Sequence, residues 1–142
     1  MSRSGIVAVC LLLVAAPALA QSKAAIQKLD DAWAAAFNKG DAAAIAAMYD
    51  VDAYVLPPGA DMLKGHDAIQ TFWGQAMQQM SGIKCTAIDV LPLGRKAARE
   101  IGTCSAKTKT QPPADVVIKY AVVWRNAGGQ WKLLQDIWNE NK

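Results

Sequence analysis

The apolar residues of this chain change their period at Ile83, and that change constrains the fold more than any other feature. Before it, hydrophobic side chains recur at helical spacing; after it they alternate, as strands require. Ile26, Leu29, Trp33 and Phe37 mark one face of a first helix, closed by Asn38-Lys39-Gly40. Asp41 caps a shorter second helix carrying Ile45, Met48 and Tyr49. Ala53 to Pro57 reads as a short strand stopped by Pro57-Pro58-Gly59, and Met62 to Lys64 as a brief return strand. A third helix begins near His66-Asp67, carries Ile69, Phe72, Trp73, Met77 and Met80 on one stripe, and stops at Gly82.

Four long strands follow: Ile83 to Leu91, Ala97 to Lys109, Val116 to Arg125 and Gln130 to Asn139. Turn signals separate them at Leu93-Gly94-Arg95-Lys96, Gln111-Pro112-Pro113-Ala114 and Asn126-Ala127-Gly128-Gly129. Helices first and a strand meander afterwards predict an α+β fold, with a curved antiparallel sheet packed on three N-terminal helices to form a cone. A first hairpin centred on Gly94-Arg95 sets Thr86 opposite Thr103, Ile88 opposite Ile101 and Cys85 opposite Cys104. The same register puts Asp89 against Glu100, a repulsive pair unless it is solvated or shares a proton.

The first twenty residues have another purpose. Arg3 precedes an unbroken apolar run from Ile6 to Ala16, and Ala18-Leu19-Ala20 forms a small-residue cleavage site before Gln21. The run is too short to span a bilayer, which needs about 20 apolar residues. Cys10 follows Val9, where lipid attachment needs a small residue, so a lipid anchor is not expected. Residues 1–20 therefore read as a signal peptide, and residues 21–142 as one exported domain, periplasmic or secreted, with no membrane partner once the signal is removed. The remaining chain of about 120 residues is enough for a single core.

Net charge is +3 and the signs are interspersed, which argues against a nucleic-acid partner. His66 is the single histidine and no CxxC pair occurs, so no metal site and no cofactor are expected. Cys85 and Cys104 remain after processing and face each other in the hairpin register above. In an oxidising compartment that placement predicts a disulfide.

Phe37-Asn38-Lys39-Gly40-Asp41, Met48-Tyr49, Pro58-Gly59 and Lys64-Gly65-His66-Asp67-Ala68-Ile69 occur in that order. Lys119 to Trp124, Gly129-Gln130-Trp131-Lys132 and Asp136-Ile137-Trp138-Asn139 complete the series. Together they resemble the nuclear-transport-factor-2-like superfamily, in its SnoaL-like and ketosteroid-isomerase-like branch, over essentially all of the mature chain. The resemblance implies a cone with an internal pocket, often dimeric through the outer sheet face. It does not imply one activity, because the superfamily holds isomerases, dehydratases, cyclases and binding proteins.

Ketosteroid isomerisation uses a carboxylate base, a tyrosine and a protonated aspartic acid. By resemblance these positions fall on Pro57, Trp33 and Ala121 or Val122, none of which can replace them. A dehydratase with paired histidines is equally excluded, and His66 reads as a solvated residue at the start of the third helix. Asp136 is the carboxylate of interest. It alternates with Leu134 and Trp138 on the last strand, on a face that the resemblance turns inward. Beside a tryptophan in a cone its pKa would rise, and it could serve as acid or base, although a structural pair would perturb it too.

Which residue shares that face, Lys119 or Tyr120, depends on the count of the last turn; the apolar alternation from Val116 to Trp124 favours Tyr120. Trp33, Tyr54, Tyr120, Asp136 and Trp138 are the candidate binding residues, with Trp73 and Trp124 also facing the cone. Asp30, Asp31, Asp50 and Asp52 are expected to face solvent. Three functions fit: a domain binding a small apolar or aromatic molecule, an isomerase or lyase using Asp136, or a structural dimerisation domain. The first is preferred, since the known catalytic positions are vacant while the pocket framework persists.

Overall fold

A computed structural model describes residues 22–141. The proposed signal peptide and Cys10 lie outside the described residues. Helix α1 (Lys23–Lys39) starts at Ser22, whose side chain accepts from the Ala25 amide, and ends at Gly40 in the left-handed region at φ 76°. Gly40 donates to carbonyls of the last turn, which closes the helix where the sequence places its stop. Asp41 caps α2 (Ala42–Met48) by accepting from Ala44. The second helix is shorter than expected: Tyr49 is not its last residue but the first of β1 (Tyr49–Leu56).

The two-residue strand β2 (Leu63–Lys64) leads to α3 (His66–Gln79). Met80, expected on that helix, instead begins β3 (Met80–Pro92). Strands β4 (Ala97–Thr108), β5 (Asp115–Ala127) and β6 (Gln130–Glu140) follow as a meander. The six strands form one curved sheet in the order β2-β1-β6-β5-β4-β3. All neighbours are antiparallel except β1 and β6, which run parallel. The helices cover the inner face of this sheet, and the core lies between them around Ile26, Phe37, Ile45, Ile69 and Trp124.

Bulges decide which side chains enter the cone, and two of them set the polar residues of its interior. On β3 and β4 the register runs Cys85 to Cys104, Thr86 to Thr103 and Ala87 to Gly102, and then jumps to Asp89 opposite Ile101. Ile88 is thus an extra residue and does not face Ile101 as a regular hairpin would require. The shift also removes the expected Asp89–Glu100 repulsion. Asp89 pairs with Arg99 at 2.8 Å, while Glu100 stands opposite Val90 and is fully buried.

The second bulge lies on β6, where Val123 pairs with Gln135 but Trp124 with Leu133. Leu134 is skipped, so Leu133, not Leu134, joins Asp136 on the buried side. The Cys85 and Cys104 sulfurs are bonded, with Cα atoms 4.0 Å apart. Among the described residues, no helix is long and apolar enough to cross a membrane.

Candidate functional site

The cone encloses a cavity of 390 Å³. Its walls come from α1, α3 and the inner faces of β3 to β6, and Pro57 and Pro58 at the end of β1 stand at its edge. Four aromatic side chains interlock between the helices and β6. Trp33 meets Trp73 edge to face at 4.8 Å, Trp73 stacks on Trp138 at 5.3 Å, and Phe72 contacts both Trp73 and Trp138. Such contacts hold ring orientation as well as burying area.

Two polar clusters are set into these apolar walls. In the first, the Tyr49 hydroxyl donates to Asp136 Oδ2 at 2.5 Å and accepts from Trp73 Nε1 at 3.2 Å. The Trp33 indole N–H also acts on that hydroxyl without closing a hydrogen bond. Burial raises the Asp136 carboxyl to about 6; the Tyr49 bond opposes the rise and the Glu100 charge adds to it. Burial, followed by the Asp136 charge, also pushes the Tyr49 hydroxyl well above its ordinary value.

In the second cluster, Glu100 accepts from the Tyr120 hydroxyl at 2.6 Å and from Trp124 Nε1 at 2.7 Å. Asp30, one helical turn before Trp33, lies 3.5 Å from the same hydroxyl. Burial and then the neighbouring Glu100 push the Asp30 carboxyl up to about 9, so it holds its proton at neutral pH. Burial, Glu100 and Asp30 likewise raise the Tyr120 hydroxyl. Asp136 and Glu100 are therefore met by hydroxyl and indole donors, while protonated Asp30 is itself a donor beside Glu100 and Tyr120.

Of the five binding residues read from the sequence, Trp33, Tyr120, Asp136 and Trp138 line the cavity. Tyr54 does not. It is 37% exposed, and the ammonium of Lys64 sits over its ring at 5.1 Å. Position 54 alternates away from buried Ala53 and Val55 on β1, so its side chain leaves the cone. Tyr120, rather than Lys119, faces inward and pairs across strands with Trp138.

Asp30 and Asp50 correct the expectation that they face solvent: both are buried, whereas Asp31 and Asp52 are exposed. Asp30 belongs to the stripe Ile26, Asp30, Trp33, Phe37, and its spacing outweighed its charge. Asp50 is held by the Arg125 guanidinium, with Nε at 2.8 Å and a second bond from Nη2, which keeps its carboxyl below the usual range. His66 caps the arrangement from outside, its Nε2 2.9 Å from the Tyr49 carbonyl.

Tyr49, Glu100 and Asp30 are the residues that sequence reasoning missed. Glu100 had a signal, because it shares its alternation with Ala98, Gly102, Cys104 and Ala106. No cluster of His, Cys, Asp and Glu among the described residues is arranged to hold a metal.

The SnoaL-like domain family matches residues 31–134. No curated protein is significantly similar in sequence. Among solved structures, a ketosteroid isomerase-like protein from Erwinia carotovora atroseptica superposes with a TM-score of 0.75 at 16% identity, covering 84% of this chain and 96% of that one. A hexachlorocyclohexane dehydrochlorinase from Novosphingobium barchaimii gives 0.72 at 16% identity, over 84% and 86%. An NTF-2 like protein of unknown function from Shewanella oneidensis gives 0.68 at 17% identity, over 78% and 93%. These likenesses establish the fold, and the matched domain extends from α1 into β6, so the chain belongs to the SnoaL-like domain family of the NTF2-like fold.

Proposed function

We propose that this chain is an exported domain that binds a small apolar or aromatic molecule within its cone. One observation carries the reading: a 390 Å³ cavity with aromatic walls and a few converging polar groups, namely Asp136–Tyr49 and Tyr120–Glu100–Asp30. That size and mixture suit a small ligand, whose apolar body fills the cone while the polar groups fix its orientation. Native mass spectrometry of the mature protein from the exporting cell tests it. The expected result is a bound small molecule lost on denaturation. A protein that arrives empty, and whose indole fluorescence no aromatic compound alters, refutes the reading. Export itself is tested by N-terminal sequencing, with Gln21 expected as the first residue.

A second reading, an isomerase or lyase with Asp136 as proton acceptor, is favoured by one feature. Asp136 lines the cavity with its carboxyl near 6, close to the range where a carboxylate can take and return a proton. Deuterium incorporation into a bound carbon acid, abolished in Asp136→Asn, would support it. A homodimer formed through the outer sheet face is supported by exposed Ile88, Ile101 and Ile137 on β3, β4 and β6. Light scattering on the purified domain tests this; a monomer at high concentration excludes it.

A further inference from the structure

We infer that the molecule held in the cone is an organic cation, an ammonium group on an apolar or aromatic body; this rests on the reading that the cavity binds a small molecule. The chain as a whole is basic, with 15 Lys and Arg against 12 Asp and Glu. Its cavity is the reverse. Among the described residues Asp30, Asp136 and Glu140 line it, and no Lys, Arg or His does. Glu100 stands directly behind Tyr120 and Trp124 and adds to the same field.

Charge segregation of this kind in a low-dielectric cleft concentrates ligands of the opposite sign and repels anions. The aromatic walls fit the same ligand. Trp138 and Phe72 are half-buried at the cavity, backed by Trp73 and Trp33. Ring faces attract cations, most strongly when water is excluded.

A neutral ligand can only share hydrogen bonds with these acids, whereas a cation also balances their charge. Burying a carboxyl without a counter-charge is costly; hydroxyl and indole donors meet Asp136 and Glu100, and no cation among the described residues lines the cavity. The protein avoids the cost by keeping protons on Asp30 and, below about pH 6, on Asp136. An arriving ammonium group supplies the missing charge, and the displaced proton passes to solvent. The groups acting on Asp136 are Tyr49 from β1, Glu100 from β4 and Tyr120 from β5; Asp30 of α1 and Glu140 of β6 are the other acids on the cavity wall. Helix α3 contributes aromatic, amide and small apolar side chains to the cavity, none of them titratable.

The test uses three compounds of nearly one shape: phenyltrimethylammonium, uncharged tert-butylbenzene and anionic benzenesulfonate. Each is titrated into the mature protein and followed by indole fluorescence. Near pH 8 the cation is expected to bind about tenfold tighter than tert-butylbenzene, the order of one desolvated cation–aromatic contact. Near pH 5, with Asp136 protonated, that advantage shrinks severalfold while tert-butylbenzene binding stays constant. Asp136→Asn reproduces the loss at pH 8 and likewise spares tert-butylbenzene; should that variant fail to fold, the pH series on the native protein decides alone. Tighter binding of tert-butylbenzene, or any preference for benzenesulfonate, overturns the inference and leaves the cavity reading standing. Binding of none of the three overturns both.

Discussion

Gly102 on β4 lies directly opposite Tyr120 on β5, and a β-carbon on Gly102 would come within 2.2 Å of the Tyr120 hydroxyl oxygen. The same carbon would meet the Thr86 carbonyl at 2.6 Å. The absent side chain is what lets the Tyr120 ring lie flat across β4 and reach Glu100. Neither backbone nor ring can yield cheaply, since both are fixed by the sheet and by the 2.6 Å bond to Glu100.

Gly102→Ala is therefore expected to destabilise the domain by about 1–3 kcal/mol, the usual cost of overpacking. The loss should come with a displaced Tyr120 and an altered cavity. Urea denaturation measures the first and ligand titration the second. Wild-type values in both would show that the ring is free to move.

The buried acids set the pH dependence of stability. The Asp30 carboxyl stands at about 9 in the folded protein against 3.8 for an unperturbed one. The native state thus retains a proton that the unfolded chain gives up. Stability from this group is complete below about pH 4 and declines as pH rises to about 9, by at most about 1.4 kcal/mol per pH unit. Asp136, raised from 3.8 to about 6, adds to the decline over the lower part of that range. Denaturation midpoints should fall between pH 5 and pH 9, and Asp30→Asn should flatten the upper part. An unchanged slope in the variant would assign the effect elsewhere.

Asp136→Asn is expected to alter ligand binding far more than folding. An amide of the same shape can still accept the Tyr49 hydrogen bond, and among the described residues no cation pairs with Asp136 to be left alone. A stability loss of no more than about 1 kcal/mol, the net value of a typical hydrogen bond, is expected. A loss of about 3–5 kcal/mol would mark the carboxylate as part of a structural pair.

Thiol titration of the unreduced, denatured mature protein should find neither Cys85 nor Cys104 reactive. They sit opposite each other on β3 and β4, 19 residues apart in sequence. A loop of that length predicts a loss of roughly 3 kcal/mol on reduction, through the freed unfolded chain. Two titratable thiols would refute the bond.

The local elements were legible in the sequence because their causes are local. The Gly40 stop, the Asp41 cap and the Gly94 turn each act within a few residues, and the change of period at Ile83 marks where helix gives way to strand. A turn centred on Gly94-Arg95 gives the Cys85–Cys104 pairing only because two offsets cancel: the observed turn is centred on Arg95, with Pro92 opposite Ala98, and the bulge at Ile88 restores the register. Asp136 stood out because it alternates with apolar neighbours on the face that the family resemblance turns inward.

Tertiary structure decided the rest. Tyr49 reads as the last turn of a helix until β1 pairs with β6 and draws it into the sheet, where its hydroxyl meets a carboxylate 87 residues away. Extra residues at Ile88 and Leu134 shift two strands by one position, and with a period of two a single shift reverses which face looks inward. No local preference announces such a bulge; it forms where the sheet must bend. Asp30 and Glu100 look like surface charges one at a time. They become interior acids only because α1 and β4 bring them to the same Tyr120 hydroxyl, where each has a partner that sequence order does not reveal.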